Sequence, residues 1–542
     1  MASKLLSRRY DKPGGRGLSG LLRRAPAGLA SAAVLVGVWL AADPRTPDLA
    51  AQIYRVNLFR SAGAIIFDTH WYAGHHLPGY SLVFPALASL VGIRALGAIA
   101  VVVSVAIFER VVRSVYGPHA KWGGVVFALA ATGDIWSGRL TFALGVTFAL
   151  AALLALTAGA SPLAFLLAIV CAACSPVAGL LLALAAATHA LQQRSARVAL
   201  LVLVPVLSLL VGLSLLFPEG GYEPFPVLSF LVTAVLTAAF WWSLAPQHRE
   251  LLLGAGLYLA ACTASLVIHT PIGSNVERYG VLLAAPLLLC ALASERKALT
   301  PIQTAILTVM LVWIVWGPVR ESAVVAGNPS TDTSYYLPVE RFMASHGGPL
   351  VRLEVPLTRS HWEAALLAPH LSLARGWDKQ LDERDDAVLL SGSLNPAGYE
   401  RWLGEQAVGY VALPDVKLDP SSAREGAIIR RGLPFLREVF TSAHWRIYRV
   451  LHSTPMAAGP GVMSALSHNS FTLRASRPGR FLVRIHYTRY WTLIHGSGCV
   501  SRTPDGWTSV SARASGSLLV VARFSLARAF GSGSSCSSSG SA

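Results

Sequence analysis

Charge is what this chain most conspicuously lacks. Only 13% of its residues are Asp, Glu, Lys or Arg, against 54% hydrophobic, and a soluble core cannot hide that much apolar surface. The chain is therefore read as an integral membrane protein. Acids are the scarcer sign: 28 Asp and Glu face 45 Lys and Arg, a net charge of +17. The basic residues sit in the N-terminal tail and the short loops, where anionic lipid and topology account for them, so no nucleic acid partner is expected. No small-residue cleavage site follows the first apolar stretch. Asp43-Pro44-Arg45 does, behind a long basic tail, and 26–42 is expected to be an uncleaved anchor. No repeat with a period of about 20–50 residues is present, which excludes a soluble repeat fold. There are six cysteines. Cys171 and Cys174 have metal-like spacing but no second pair or His to complete a site, and with Cys262 and Cys290 they are read as small packing residues in or beside spans. Cys499 and Cys536 are expected to form a disulfide in an oxidising compartment.

Long apolar runs are what the chain has instead. A crossing needs about 20 apolar residues, and runs at 26–42, 92–112, 121–133, 140–158, 162–174, 177–192, 198–217, 226–245, 251–269, 279–294 and 301–317 predict about eleven transmembrane helices. The 82–91 stretch reads as an amphipathic or half-buried helix feeding the second span. Lys4, Arg8, Arg9, Lys12, Arg16, Arg23 and Arg24 hold segment 1–25 in the cytoplasm by the positive-inside rule. Alternation then places Arg110, Arg113 and Lys121, Arg194 and Arg197, His248 and Arg249, and Arg296 and Lys297 all inside. Outside fall the loops 43–80, 134–139, 174–176, 218–226 and 271–278, with everything after the last span. The prediction is a multi-pass plasma-membrane protein with a bundle over 26–320 and an extracytoplasmic C-terminal region.

In that region, apolar runs at 350–357 and 408–413 alternate with helical stretches, predicting an α/β domain over 330–450. Strand-like segments at 470–473, 480–487, 507–514 and 518–526 predict a β-sandwich-like domain over 455–530. The Gly and Ser rich 531–542 reads as a disordered tail. Trp377, Trp402, Trp445, Tyr490 and Trp491 are read chiefly as core, with a carbohydrate platform as the alternative.

The loop 43–80 carries the functional signal. It holds Asp43, Asp48 and the cluster Trp71-Tyr72-Ala73-Gly74-His75-His76-Leu77-Pro78-Gly79-Tyr80, rich in groups that exchange protons and stack on rings. Asp134, Trp136, Arg139 and the Arg278-Tyr279 pair fall at the same predicted depth. There, a carboxylate can take a proton from a sugar hydroxyl and an arginine can hold a lipid phosphate. Each has a plainer reading. Asp43 before Pro44 suits a helix-ending turn, which is favoured for it. Asp48 suits an N-cap on a helix starting at Leu49, and Asp134 with Arg139 an ion pair closing a turn. The rings suit an interfacial belt, His75 and His76 solvated loop positions, and Arg278 a headgroup contact or a pair with Glu277. Their coincidence on one face favours function.

The run Pro47-Asp48-Leu49-Ala50-Ala51-Gln52-Ile53-Tyr54-Arg55, then Trp71-Tyr72-Ala73-Gly74-His75 and Pro78-Gly79-Tyr80, resembles the acid-bearing first external loop of GT-C superfamily glycosyltransferases of the bacterial cell-envelope type. Asp134 in Gly133-Asp134-Ile135-Trp136-Ser137-Gly138-Arg139 and the Arg278-Tyr279 pair are similar to further features of that superfamily, as is an extracytoplasmic C-terminal domain. The resemblance implies a polytopic inverting enzyme that uses a polyprenyl-phosphate-linked sugar donor and an envelope glycan or glycolipid acceptor. It leaves Asp43 and Asp48 as candidates for the general base, with Asp48 preferred because the Ala-Ala-Gln-Ile-Tyr-Arg run after it matches the family context better. It implies Asp134 as a second catalytic acid and substrate contacts from Asp43, Tyr54, Arg55, Trp71, Tyr72, His75, His76, Tyr80, Trp136, Arg139, Arg278 and Tyr279. The loop has neither an Asp-x-Asp nor an adjacent acidic pair, so a divalent cation stays open as a cofactor. A major-facilitator-like transporter and a non-catalytic envelope scaffold are the alternatives. Spans nearly free of ionisable residues and the missing signature in the 109–121 loop count against the transporter.

Overall fold

The computed structural model describes residues 26–296, 298–531 and 536. The basic segment 1–25, Lys297 and the rest of the 531–542 tail lie outside the described residues. The helices are α1 Ala27–Ala42, α2 Pro47–Ala62, α3 Phe84–Val91, α4 Ile93–Tyr116, α5 Lys121–Trp136, α6 Leu140–Thr157, α7 Ser161–Cys174, α8 Pro176–Gln193, α9 Ala196–Leu216, α10 Val227–Ser243, α11 Arg249–Val267, α12 Glu277–Ser294 and α13 Pro301–Val325. All but α2 and α3 coincide with the apolar runs. Among the described residues six are long and apolar enough to cross a membrane, and up to seven if the bent pair of α1 and α2 is one span. The criterion is thus met by fewer helices than the expected eleven, because α1, α5, α7 and α10 have 14–17 residues where a crossing takes about 20, and the 18-residue α8 ends on the polar residues His189, Gln192 and Gln193. Outward-facing Leu200, Val211, Leu215, Val309 and Trp316 are exposed, the surface of a bundle solvated by lipid, and the chain is a multi-pass membrane protein.

Local chemistry sets the helix ends. Thr300 and Gln303 form a reciprocal capping box ahead of α13, with Pro301 at its first position. The Ser175 side chain caps α8 from one side only, accepting from the Ala178 amide. The start of α1 is capped from a distance. Buried Glu109 on α4 accepts the Gly28 amide at 2.8 Å, satisfying one of the donors a helix leaves open at its N-terminus. Gly28 and Gly124 leave the space that carboxylate fills. Cys171, Cys174, Cys262 and Cys290 are buried free thiols, and Cys290 packs against Gly123.

The 43–80 stretch is not an open loop. Asp43 closes α1 in the left-handed conformation at φ 41°, and Pro47 starts α2, which is turned 80° from α1. Polar Gln52, Arg55 and Asn57 kept α2 out of the apolar pattern, yet most of its residues are buried. After it, β1 Phe67–Asp68 pairs antiparallel with β2 His75–His76.

Past α13, which runs to Val325 rather than ending at 317, α14 Thr333–Ala344 packs against a mixed sheet in the order β3-β4-β6-β5. Its strands are β3 Arg352–Glu354, β4 Val408–Pro414, β5 Leu436–Thr441 and β6 Trp445–Val450, with only β3 and β4 parallel. Helices α15 Lys379–Asp385, α16 Pro396–Glu405 and α17 Ala423–Arg430 complete this layer. Two four-stranded sheets follow, β12-β13-β10-β7 and β11-β14-β9-β8. They comprise β7 Ala457–Ala458, β8 Gly461–Ser467, β9 Ser470–Ala475, β10 Gly479–His486, β11 Trp491–His495, β12 Gly498–Arg502, β13 Trp507–Ala512 and β14 Gly516–Ala522. Four of these strands were not in the sequence pattern. β14 also stops at Ala522 instead of reaching Leu526, which begins the short helix α18 Leu526–Ala529. Cys499 and Cys536 are disulfide-bonded, with Cα atoms 5.4 Å apart. Trp402, Trp445, Tyr490 and Trp491 are buried in cores and Trp377 stacks on His361, so these rings form no exposed platform.

Candidate active site at one end of the bundle

The turn after α5 is pressed onto the start of α2. The Thr46 hydroxyl donates to the Trp136 carbonyl at 3.1 Å, the Gln52 amide donates to the Gly138 carbonyl, and the Thr141 amide donates to Gln52 Oε1 at 3.3 Å. Gly138 makes this clasp possible: at φ 82° its Cβ would lie 2.5 Å from the Leu49 nitrogen. The consequence is that Arg139, next in sequence, reaches two acids. Its Nε lies 3.5 Å from Asp48 Oδ2 and its Nη1 lies 3.9 Å from Asp134 Oδ1. Thr46 stands at the N-cap, so the N-cap reading of Asp48 is replaced by a place in the first turn. The Asp48 side chain is 36% exposed and that of Asp134 only 8%.

Arg278, second residue of α12, is in electrostatic reach of Asp48, Asp134, Arg139 and Tyr80 and lies over the Phe142 ring at 5.5 Å. Its neighbour Glu277 accepts from the Thr233 hydroxyl at 3.2 Å rather than pairing with it. Tyr80 links this group to Arg55, whose guanidinium lies 3.8 Å from the Tyr80 ring centre and 5.2 Å from that of Trp71. Arg55 also meets Asp378 at 3.1 Å, while its Nε and Nη1 have no hydrogen-bond partner among the described residues. Asp48, Asp134, Arg139, Arg278, Tyr80 and Arg55 therefore form one polar cluster.

Other expected site residues are committed elsewhere. Asp43 pairs with Arg94 at 2.6 Å, and its C-cap position matches the helix-ending reading. Buried Tyr54 donates to Asp68 Oδ2 at 2.6 Å. Trp71 is fully buried, stacked on Tyr54 with ring centres 4.3 Å apart, and donates to the Ala364 carbonyl at 3.2 Å. Tyr72 donates to Asp382 Oδ1 at 3.0 Å. His76 meets Glu219 at 2.8 Å and Thr488 at 2.9 Å, so neither it nor buried His75 is a solvated loop residue. Tyr279 packs against Tyr258 with ring centres 5.3 Å apart and planes tilted by 40°, and Trp136 donates to the Ser322 hydroxyl at 2.6 Å. The aromatic cluster is therefore mortar between the bundle and the C-terminal layers. A sugar has no access to its buried faces.

Sequence reasoning missed Glu223, in the Gly-rich turn before α10. It accepts from the Ser274 hydroxyl at 3.2 Å. Burial pushes its carboxyl up to about 7 against the opposing pull of Ser274, Arg278 and Lys379. The signal was available: two acids, Glu219 and Glu223, in a short loop at the same end. Asp378 and Lys379 were missed because they lie far along the chain.

The same seam holds a cluster of histidines. The His70 ring lies 4.0 Å from that of His468 and its Nδ1 is 2.7 Å from the Ala368 carbonyl. Burial, then the charge of His468, lowers His70 to about 4, and burial lowers His75 as well. Unfolding frees both to take protons at the ordinary histidine value of about 6.5. Their contribution is complete above that pH and is lost as pH falls toward about 4, by up to roughly 3 kcal/mol for His70. Thermal unfolding in detergent is expected to show a falling midpoint between about pH 7 and about pH 5, with a shallower fall in His70→Phe. A midpoint that does not move over this range would contradict the assignment.

Between α1, α5 and α13 lies a cavity of about 150 Å³ lined by Leu35, Leu129, Gly133, Trp136, Ile314 and Pro318 among others. Val38, exposed on the outer face of the bundle, also lines it, whereas Asp134 lines a separate small pocket with Ser104, Ala131 and Leu282. Fold and site together define a multi-pass membrane protein with an acid and arginine cluster at one bundle end and an apolar groove between α1, α5 and α13. No family model and no curated protein sequence matches the chain. Among solved structures, the cryo-EM structure of the arabinofuranosyltransferase AftD from mycobacteria is similar to it at 16% identity and a TM-score of 0.45, over 78% of this chain. The matched part is 40% of that longer chain. A likeness of this degree assigns neither substrate nor residue roles.

Proposed function

We propose that the chain is a GT-C-type glycosyltransferase that moves a sugar from a polyprenyl-phosphate donor to an envelope glycan or glycolipid on the outer face of the plasma membrane. The carrying observation is the convergence of Asp48 and Asp134 on Arg139, with Arg278 in reach, and an apolar groove lined by Gly133 and Trp136 of the helix that carries Asp134. The groove suits a lipid tail, and the arginines suit the phosphate that tail carries. Asp48, the more open acid, takes the proton of the acceptor hydroxyl. The hydroxyl oxygen then bonds to the anomeric carbon as the bond from that carbon to the phosphate oxygen breaks, inverting the centre. Arg278 and Arg139 neutralise the phosphate as it leaves. A divalent cation does not fit this donor set: a guanidinium already stands between the two carboxylates, and among the described residues no three His, Cys, Asp or Glu side chains converge to hold a metal. No step is assigned to one. The basic tail and loops support a cytoplasmic N-terminus, all eleven apolar helices as crossings and an extracytoplasmic C-terminal region.

Arg278→Gln is expected to weaken binding of polyprenyl phosphate to the full chain in nanodiscs by about tenfold or more, as loss of a charged hydrogen bond does, with Arg278→Lys intermediate. Equal affinity in all three would remove Arg278 from the phosphate site. No polyprenyl phosphate binding by the wild type would count against the whole reading.

A further inference from the structure

The underside of the β-sandwich meets the bundle at the end of α9. The Tyr490 hydroxyl donates to the Leu216 carbonyl at 2.8 Å, and Tyr490, Phe217 and Ala529 share a small core with Leu213 and Leu216. Ala529 anchors α18 by its one buried position. The residues on either side of that anchor point away from protein: Leu526 is 64% exposed and Phe530 81% exposed. Phe524 is also exposed on its outer side and packs on Phe217 and Tyr490 with ring centres 5.8 and 5.5 Å away. Water is a poor neighbour for three large apolar side chains in one short segment.

Two observations say what covers them. First, the patch continues the lipid-facing side of α9: Leu215, 69% exposed, lies next in sequence to the Leu216 whose carbonyl Tyr490 caps. The patch therefore sits where α9 leaves the hydrocarbon, at headgroup level. Second, the segment is framed by cations. Arg489 and Arg523 are exposed, Arg489 donates to the Ala529 carbonyl at 2.8 Å, and Arg528 donates to the Trp491 carbonyl. Apolar tips flanked by arginines are the composition of an interfacial anchor on anionic lipid.

We propose that the sandwich carries its own membrane foot, in which Leu526 and Phe530 enter the boundary of the bilayer beside α9 while Arg489 and Arg523 hold lipid phosphates. The foot fixes the height and tilt of the sandwich over the bundle. It is independent of the catalytic reading, because none of its residues belongs to the acid and arginine cluster.

The test uses the full chain in phosphatidylglycerol nanodiscs, with the photoreactive residue p-benzoylphenylalanine placed singly at 526, 530 or 462. Val462 is exposed on β8, an edge strand of the same sheet, and serves as the water-facing control. After irradiation, intact-mass measurement is expected to show lipid adducts at 526 and 530, about tenfold above position 462. Arg489→Gln with Arg523→Gln is expected to lower the adduct yield at 530 in phosphatidylglycerol and to leave it unchanged in phosphatidylcholine. Adducts at 526 and 530 no greater than at 462 would overturn the foot. Cross-links between two chains at 530 would also overturn it and make the patch a contact between copies.

Discussion

Asp48→Asn is expected to slow sugar transfer by roughly 10²–10⁴-fold with little change in thermal stability. Asparagine keeps the shape of the side chain and its position in the first turn of α2, but it cannot accept the acceptor's proton. The Asp48 side chain is 36% exposed and its contact with Arg139 is an ion pair at 3.5 Å, so losing the charge removes an interaction that solvent already screens. The loss should fall on kcat with acceptor KM nearly unchanged, because the base acts in the transition state. Asp134→Asn serves as the contrast. That carboxylate is more enclosed and lies 3.9 Å from Arg139, so its replacement should disturb Arg139 first and the rate through it. If Asp48→Asn retains wild-type turnover, another group carries the proton, and Glu223, with a carboxyl poised near neutral pH, is the next to test.

The second large effect lies at a residue with no side chain. Gly138→Ala puts a Cβ 2.5 Å from the Leu49 nitrogen and 3.1 Å from the Asp48 carbonyl carbon, at a φ of 82°. Both atoms are backbone and cannot swing aside. The clasp must open, carrying Asp48 and Arg139 apart, and a displacement of that size costs transfer about 10²-fold. Stability should drop by about 1–3 kcal/mol from the strained backbone. Gly79→Ala is the matched control, since its Cβ would meet nothing within 4 Å. Equal activity in the two variants would show that the turn does not set the geometry of the site.

How much of this was legible in the chain follows from the range of the interactions. Apolar runs are local, and each of them marked a helix to within a few residues except at α13. The end of α1 at Asp43 was legible for the same reason, a Pro following an acid. The α2 helix was legible only at its start, where the N-cap reading of Asp48 put a helix from Leu49; its extent was not, because Gln52, Arg55 and Asn57 interrupt the apolar pattern and its burial is supplied by distant segments. The aromatic cluster misled for a related reason. Trp71 and Tyr72 look available when only their neighbours in sequence are seen, but their partners Ala364, Asp378 and Asp382 lie some three hundred residues further on. Asp48, Asp134, Arg139 and Arg278 could be placed together because each stands at or beside a helix end on the same side of the bundle, so alternation alone brought them to one level. Glu223 was signalled by two acids in one short loop at that end and was passed over, whereas Lys379 lies too far along the chain to be placed from sequence. The sandwich strands are short and half of them lack strong alternation, which is why four escaped notice.

The central claim is that this cluster transfers sugar from a lipid phosphate, and a donor panel tests it most directly. The purified full chain in nanodiscs would be given radiolabelled polyprenyl-phosphate sugars or nucleotide sugars with envelope acceptor, alongside the Asp48→Asn variant. The account predicts label in the acceptor from at least one polyprenyl-phosphate sugar, none from the nucleotide sugars, and near-complete loss in the variant. Transfer from a nucleotide sugar, equal transfer by the variant, or no transfer from any donor by a folded wild-type chain would contradict it.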